Sequence, residues 1–350
     1  MDVTAGGLWI VARGSVGIKD VARLAGVSVG TVSNVLNNRE LVSSERRELV
    51  EAAIAELGYV PNSVARQLKA GVSLAVGMIV LDTENPFYAS VARGVESAAE
   101  RNGTAVFVGN SRWDSERESQ YLSLFEQQRL CGILVTPSQT GFGEVTEIAR
   151  RGTPVVLVDA QGAVDGMCAV GANDYLGGFL AMRHLIEQGR RRIVIVGGPG
   201  NVHQTKERTR GALEAASAAG VSVSMVQTSE MTILEGRASG GRIAEYPPHE
   251  RPDAVFALND LLATGVLQAL VMQRSIRVPE EIALVGYDDI DFCQSAVVPI
   301  SSIRQPARDM GKVAYDLLEM ELEQADHQHQ FQLLAPELIV RESTVGVNAS

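Results

Sequence analysis

The sequence predicts a multidomain protein in which a small all-α unit precedes a larger α/β unit built from two doubly wound lobes. Three observations predict this architecture. The chain before Pro61 shows short helical patterns, whereas from Leu74 onward apolar runs of strand length alternate with helical stretches. Continuous apolar strands separated by helices are typical of parallel sheets covered on both faces. The length of 350 residues also exceeds what one compact core accommodates.

The first unit begins with three predicted helices, over 19–25, 29–36 and 44–57. Gly26 ends the first helix, where a C-terminus favours positive φ, and Ser28 is placed to cap the second. Ser43 or Ser44 caps the third helix, which ends at Gly58. A helix, a short glycine-containing turn and a second helix are typical of a helix-turn-helix. A packed helical hairpin without any role in DNA binding remains the alternative interpretation.

The charge distribution restricts where a nucleic acid could bind. The formal net charge is -11, yet residues 18–71 carry seven basic and six acidic side chains. The acidic excess therefore belongs to the rest of the chain. Because attraction to phosphates needs Lys and Arg side chains, we expect any DNA contact to be confined to the N-terminal unit.

Composition excludes several classes of protein. A hydrophobic content of 45% and a charged content of 21% exclude wholesale disorder. No apolar run reaches the roughly 18 residues of a membrane span, and the N-terminal segment lacks the pattern of a signal peptide. The widely spaced Cys131, Cys168 and Cys293 indicate reduced thiols rather than a disulfide framework. A cytoplasmic protein is therefore expected.

Eight strands are predicted in the larger unit, over 74–81, 104–110, 131–137, 154–159, 191–198, 222–228, 253–258 and 282–288. Helices are predicted between them, including 89–101, 175–188 and 261–274. Ligands of open α/β sheets bind outside the carboxyl ends of the strands. Polar residues follow the predicted strands there, namely Asp82, Asn85, Asn110, Asp159, Asn259, Asp288 and Asp289. A binding site is expected at that edge.

Catalytic and metal-binding motifs are weak in this sequence. The stretch GGPGNVHQ (197–204) lacks both the GK[ST] and the GxGxxG patterns, so a plain βα turn is favoured over a phosphate loop. His327 and His329 lie in a polar stretch without Cys or carboxylate partners at metal spacing, which favours a solvated surface. Asp288 and Asp289 could perform acid/base chemistry or simply accept hydrogen bonds from hydroxyl groups. We predict no catalytic residue, no metal and no cofactor.

Several motifs together resemble one known family, the lactose-repressor (LacI/GalR) family of transcription regulators. They are IKDVARLAGVSVGTVSNVLN, VSSERRELVEAAIAELGYVPNSVARQL, NPFY, ERTRGALEA, FALND, VPEEIALVGYDDI and SSIRQP, in that order. The resemblance covers about residues 18–345. It implies an all-α helix-turn-helix headpiece, a hinge helix and a two-lobed α/β core of doubly wound parallel sheets, similar to periplasmic sugar-binding proteins.

The resemblance also implies domain boundaries. An N-terminal extension (1–17), expected to be disordered, precedes a headpiece (18–61), a hinge helix and linker (62–73) and a core (74–345). Within the core, the first lobe would comprise 74–172 and 304–332, and the second 173–303 and 333–345. Members of the family are homodimers or tetramers that bind operator DNA under the control of a small effector.

The family's DNA-binding positions transfer to named residues of this chain. Ser28 caps the recognition helix. The residues that face base edges are Val29, Gly30 and Asn34, and those that touch phosphates are Thr31, Ser33 and Asn37. The hinge contributes Ala65 and Leu68. Asn can pair bidentately with adenine, and an inserted leucine kinks DNA in the minor groove. Val29 and Gly30 replace larger polar residues of many relatives, so Asn34 becomes the main base reader. The alternatives are a partly buried turn position for Val29 and a core anchor for Leu68.

The effector positions transfer in the same way, to Asn85, Phe87, Asp159, Arg208, Asn259, Asp288 and Gln305. Acidic, amide and guanidinium groups bind hydroxyls, and an aromatic ring stacks on the apolar face of a sugar. Ala160 stands where an Arg is common, which alters the cleft. Asn259 has an alternative role as the cap of the helix that follows it.

The resemblance predicts a DNA-binding transcriptional regulator, a repressor, that binds a pseudo-palindromic operator as a dimer under the control of a sugar or sugar derivative. The rival prediction is a cytoplasmic sugar-binding protein with no role in DNA binding. An enzyme is the third possibility and would be identified by turnover.

Overall fold

The computed structural model describes residues 16–59, 74–138, 142–160, 162–200, 202–324 and 327–346. Residues up to 71 and residues from 72 onward form two separate compact units. The predicted extension up to residue 15 and the predicted hinge, with Ala65 and Leu68, lie outside the described residues.

The first unit consists of the three predicted helices, α1 (Ile18–Leu24), α2 (Val29–Asn37) and α3 (Ser44–Leu57). The N–H of Gly17 donates to Asp20 Oδ2 at 2.9 Å, directly before the first residue of α1. Ser28 caps α2 as predicted, because its Oγ accepts the N–H of Thr31. Gly58 ends α3 at φ 59°, in the left-handed conformation that glycine adopts without strain.

A small apolar core holds these helices together. Each helix contributes fully buried or nearly buried side chains to it, among them Val21, Val32, Val35 and Val50. The spacing of these residues along each helix leaves the opposite face of α2 for solvent.

The second unit alternates strands and helices. Its first half runs β1 (Ala75–Val80), α4 (Pro86–Ala99), β2 (Ala105–Asn110), α5 (Ser115–Gln127), β3 (Gly132–Val135), α6 (Gly143–Arg150), β4 (Val155–Val158) and β5 (Cys168–Ala172). Its second half runs α7 (Asp174–Glu187), β6 (Arg192–Gly197), α8 (His203–Ala219), β7 (Ser222–Gln227), α9 (Ile233–Glu245), β8 (Ala254–Ala257), α10 (Asp260–Leu267), β9 (Ala283–Asp288), α11 (Asp291–Ser295), β10 (Ser301–Arg304), α12 (Ala307–Glu323), β11 (Phe331–Leu334), β12 (Glu337–Ile339) and α13 (Glu342–Val345).

Two six-stranded sheets define two lobes, as predicted. The first sheet has the order β11-β5-β4-β3-β1-β2 and all its strands are parallel. The second has the order β12-β10-β9-β8-β6-β7, in which only β12 runs antiparallel to its neighbour. Each sheet is covered on both faces by apolar side chains, which explains why most of its strands read as continuous apolar runs.

All eight predicted strands are present, but β5, β10, β11 and β12 were not predicted. These strands also correct the lobe boundaries. Arg304 pairs with Asp288 in the second sheet, and Leu333 and Leu334 pair with β5 in the first. The chain therefore changes lobes after Arg304 and again after Leu334, instead of at the predicted positions beside 304 and 332.

Helices α7 and α8 cross unusually closely, and glycine makes this possible. A Cβ on Gly178 of α7 would lie 1.9 Å from the carbonyl oxygen of Arg208 in α8. Asp174 lies one helical turn before Gly178, on the same face of α7. The close crossing therefore brings the Arg208 side chain to Asp174.

Gly178→Ala should destabilise the core by about 3 kcal/mol, because the methyl group would meet a backbone atom that cannot move aside. Gly241→Ala is the matched control, since a Cβ on Gly241 in α9 meets nothing within 4 Å. That change should stabilise the core by about 0.5–1 kcal/mol. Urea unfolding followed by circular dichroism measures both, and equal effects would contradict the close crossing.

Candidate functional site

The second helix of the first unit presents two different faces. Val32 and Val35 are buried in the core, whereas Val29, Gly30 and Asn34 are exposed. Val29 is 41% exposed, so its alternative interpretation as a partly buried turn residue is wrong. The outward face of α2 offers one apolar side chain, one bare backbone position and one amide.

The predicted phosphate-binding residues lie along α2 and at its ends. Ser28 Oγ accepts the N–H of Thr31 at 3.1 Å and lies 2.9 Å from Thr31 Oγ1. The Asn37 amide nitrogen donates to the carbonyl of Ser33 at 2.8 Å, which holds this side chain against its own helix. Their contacts with phosphate stay predictions. The minor-groove contacts of the hinge residues Ala65 and Leu68 also stay predictions.

In the second unit, a cavity of about 420 Å³ lies between the two lobes, where strands of both sheets end. Six of the seven predicted effector residues line it, namely Asn85, Phe87, Asp159, Arg208, Asn259 and Asp288. Gln305 is the exception. It lies behind Asp288, where its Nε2 donates to Asp288 Oδ1 at 2.7 Å, so it positions a cavity residue instead of lining the cavity.

Arg208 carries the positive charge at the floor of the cavity. Its Nε donates to Asp174 Oδ1 at 2.8 Å, and its Nη1 donates to the carbonyl of Leu258 at 2.7 Å. Asp288 Oδ1 lies 3.7 Å from Nη1, and the guanidinium carbon lies 3.8 Å from the centre of the Tyr287 ring. Burial opposes the charge of Arg208, but the neighbouring carboxylates raise its pKa above the ordinary value. The guanidinium is therefore permanently charged.

Asp159 and Asp288 face the cavity from different lobes. Asp159 follows β4 and Asp288 ends β9, and both have positive φ, at 58° and 105°. Positive φ is uncommon for residues other than glycine, and Asp and Asn tolerate it better than most residues do. Backbone geometry that is costly elsewhere thus turns these two side chains towards the cavity.

Burial governs the protonation of both carboxyl groups. Burial, followed by the charge of Asp174, raises the pKa of Asp159 to about 7. Burial also raises the pKa of Asp288 to about 6, although Arg208, Gln305 and Asn85 oppose the increase. Both groups therefore titrate close to neutral pH.

Gln204 and Asn85 donate hydrogen bonds across the cleft, in opposite directions. Gln204, in the second lobe, donates from Nε2 to Asp159 Oδ2 at 2.9 Å. Asn85, in the first lobe, donates from Nδ2 to Asp288 Oδ2 at 3.4 Å. The other oxygen of Asp159, Oδ1, is buried and has no hydrogen-bond partner within the described ranges. A ligand that donates a hydrogen bond would satisfy it.

Two further sequence predictions are decided by hydrogen bonds. Asn259 caps α10, as its alternative role predicted, because its Oδ1 accepts the N–H of Leu262 at 2.9 Å. Asp289 lies within 2.7 Å of Arg304 Nε and 2.6 Å of Arg341 Nη1, whereas Asp288 binds Gln305 and Asn85. The two adjacent carboxylates thus have separate partners, which argues against an acid/base pair.

Several residues that line the cavity were not predicted from the sequence. Gln204 was part of the stretch interpreted as a plain turn, and it lies in the first turn of α8, the helix that follows β6. Arg112 and Trp113, both at positive φ, also line the cavity without having been predicted. Asp174, which binds Arg208, carried no recognisable sequence signal.

The prediction of a solvated surface for the histidine pair is wrong in one important respect. The side chain of His327 is only 5% exposed, and it lies beside Cys168 and Glu321 together with His329. Of the two partners that the sequence did not indicate, Cys168 comes from a distant part of the chain and Glu321 lies six residues before His327.

None of the described helices combines the length and apolar character needed to cross a membrane.

Two family models match the chain. Residues 17–62 match the model described as bacterial regulatory proteins, lacI family, and residues 182–344 match the periplasmic binding protein-like domain. The first range lies at the helical unit, and the second covers most of the second lobe together with α12 and β11 of the first lobe.

Relatives of the chain carry regulatory names. It is 37% identical to the ribose operon repressor of Bacillus subtilis strain 168, over 86% of this chain and 90% of the relative. It is 32% identical to the HTH-type transcriptional repressor PurR of Aliivibrio fischeri strain MJ11, over 94% and 98% of the two chains. The structure of the lac repressor dimer bound to operator and an anti-inducer is similar, with a TM-score of 0.81, 25% identity and coverage of 95% and 100%.

Asp159→Asn should change how stability depends on pH. The folded protein keeps a proton on Asp159 up to a pKa of about 7, whereas the ordinary value is 3.8. The stability contributed by this proton is present below about pH 4 and is lost as the pH rises through about 7. Asn does not titrate and tolerates the positive φ, so the variant should gain about 2 kcal/mol relative to the wild type between about pH 5 and about pH 8.

Urea unfolding at both pH values measures this gain. Asp165→Asn is the control, because Asp165 is exposed and lies outside the cavity. A stability difference between Asp159→Asn and the wild type that does not change with pH would contradict the raised pKa.

Proposed function

The chain belongs to the lacI family of bacterial regulatory proteins, and we propose from this premise that it is a cytoplasmic transcriptional repressor controlled by a small polyhydroxylated effector. It binds a pseudo-palindromic operator as a homodimer and performs no catalysis. The observation that carries the effector half of the proposal is the buried, unsatisfied Oδ1 of Asp159 within the interlobe cavity.

The DNA half of the proposal depends on the outward face of α2. A helix in the major groove reads base edges through side chains near its N-terminus. Asn34 is the exposed amide on this face, and its donor and acceptor atoms match the edge of an adenine. Val29 and Gly30 add an apolar contact and a close backbone approach. Asn34 therefore provides most of the direct base discrimination.

The remaining DNA contacts position the protein. Phosphates around α2 are bound by Ser28 and Thr31 at its N-terminus, where backbone amides favour anions, by Ser33 in its middle and by Asn37 at its last residue. In the dimer, the paired hinge segments insert Leu68 into a central minor-groove step, with Ala65 packed beside it. The near balance of charge in residues 18–71 keeps the electrostatic contribution modest.

The charges around the cavity favour a neutral effector over a phosphorylated one. The cavity is lined by five acidic side chains and by two basic ones. The acidic residues are Asp82, Glu84, Asp159, Glu230 and Asp288, and the basic residues are Arg112 and Arg208. Arg208 already binds Asp174 and the Leu258 carbonyl. A phosphate would meet more negative than positive charge, whereas hydroxyl groups can donate to the carboxylates.

Aromatic rings complete the chemistry of a sugar site. Phe87, Tyr88 and Trp113 line the same cavity as the carboxylates. Their flat apolar surfaces suit the C–H face of a sugar ring, while Asp159 and Asp288 accept from its hydroxyl groups. The ribose operon repressor among the relatives agrees with this class of effector.

The cross-cleft hydrogen bonds from Gln204 and Asn85 explain how effector binding can change operator affinity. An effector that replaces Gln204 on Asp159 or Asn85 on Asp288 changes what joins the lobes. Effector binding then favours one lobe arrangement over another, and operator affinity changes because the two arrangements differ in it.

Asn34→Ala should lose roughly 1–3 kcal/mol of discrimination between the operator and a duplex with a substituted adenine. The matched change Asn37→Ala should weaken binding to both duplexes equally, because a phosphate contact carries no sequence information. Competition gel shifts at fixed salt measure both variants. Unchanged operator preference in Asn34→Ala would contradict the assignment.

A thermal-shift screen tests the effector class. Neutral pentoses, hexoses and disaccharides are compared with sugar phosphates and nucleobases. At about 100 times its dissociation constant, a neutral sugar should raise the melting temperature by about 5 °C. At about pH 8, where Asp159 is ionised, Asp159→Asn should weaken this binding at least about tenfold, because a hydrogen bond to a charged group is lost, while Asp165→Asn should not. Stabilisation by phosphates or nucleobases alone would contradict a neutral polyol.

A further inference from the structure

Four side chains with metal-binding atoms meet in the first lobe, and one of them is about 150 residues away in sequence from the other three. They are Cys168, at the start of β5, Glu321, in the last turn of α12, and His327 and His329, which precede β11. The cluster lies at the amino ends of β5 and β11, whereas the cleft lies at the carboxyl ends of the strands. It is therefore separate from the effector site.

The spacing of the ligand atoms suits a tetrahedral metal ion. One atom from each of the four residues lies within 4.8 Å of the other three. Cys168 Sγ lies 3.3 Å from His327 Nε2, and Glu321 Oε1 lies 3.7 Å from His327 Nε2 and 3.3 Å from His329 Nδ1. Tetrahedral bonds of about 2.0–2.3 Å place neighbouring ligand atoms about 3.3–3.8 Å apart.

Hydrogen bonds around the cluster orient the ligands. His327 Nδ1 lies 3.3 Å from the carbonyl oxygen of Gln324, which can only accept. In the tautomer that donates from Nδ1 to this carbonyl, the lone pair of Nε2 points towards the sulfur and Glu321. Metal-binding histidines commonly have such a backbone partner. The N–H of Gln330 donates to Cys168 Sγ at 3.3 Å, and the N–H of Cys168 donates to Glu321 Oε1 at 3.1 Å.

Burial distinguishes this cluster from a chance group of surface residues. Cys168 is completely buried, and the side chains of His327 and Glu321 are 5% and 10% exposed. His329 is 38% exposed and provides a path from solvent. A carboxylate in such surroundings needs a compensating charge, which a divalent cation supplies.

We propose that Cys168, Glu321, His327 and His329 bind one Zn²⁺ ion. One sulfur, two imidazole nitrogens and one carboxylate oxygen form a donor set that zinc accepts in tetrahedral geometry. With all four positions filled by protein, the ion is structural. It fastens the end of α12 and the segment before β11 to β5, and so fixes the edge strand of the first sheet.

The experiment uses the untagged full-length protein. After dialysis against Zn²⁺ and removal of excess ion, elemental analysis should find one zinc per chain. With Co²⁺ in place of zinc, the spectrum should show the d–d bands of a tetrahedral ion and a thiolate-to-cobalt charge-transfer band. Cys168→Ser should abolish the charge-transfer band, whereas Cys131→Ser should retain it.

The histidines provide variants that do not disturb the buried thiol. His329→Gln and His327→Gln should each weaken Co²⁺ binding by more than about tenfold, and His249→Gln, at an exposed position, should not. Zinc should raise the melting temperature of the wild type but not that of His329→Gln. Less than one ion per chain, or binding unaffected by Cys168→Ser and both cluster histidine variants, would overturn the proposal.

Discussion

The buried guanidinium of Arg208 is the interaction on which the cleft depends. It allows Asp174 and Asp288 to keep carboxylate groups in the interior of the second lobe. Breaking such a buried ion pair costs several kcal/mol, because the remaining charge cannot be solvated. Gly178 allows the close helix crossing that brings Arg208 to Asp174. The charge and position of Asp288 therefore depend on the crossing of α7 and α8, which does not itself line the cavity except through Arg208 and Gln204.

The sequence predicted the two-lobed architecture because the central strands are buried on both faces and read as apolar runs. The strands it missed do not read as continuous runs of large apolar residues. β5 (CAVGA) is built largely from small residues, and β12 has three residues and runs antiparallel at an edge. Helix α4 begins at Pro86, earlier than the predicted start at 89, because Asn85 caps it and proline is well suited to the first helical position.

The cavity residues were predictable where they directly follow a strand, as Asp159 and Asn259 do. Others depend on contacts that only the fold creates. Asp174 lies on a helix and reaches the site through the α7–α8 crossing, and Gln305 was placed in the cavity although it supports Asp288 from behind. The Cys168 cluster was also not predictable from sequence. Spacing rules detect metal ligands that are close in sequence, whereas this cluster joins Cys168 to residues 321–329.

Control of operator binding from the cleft is the central claim, and calorimetric titration of the effector tests it most directly. The effector is titrated into the full-length protein alone and into the protein saturated with its operator duplex. We expect the two affinities to differ by about 5–150-fold, the usual range for coupled sites. The operator strengthens effector binding if both favour the same arrangement of the lobes, and weakens it if they favour different arrangements. Equal affinities with and without operator would contradict the coupling.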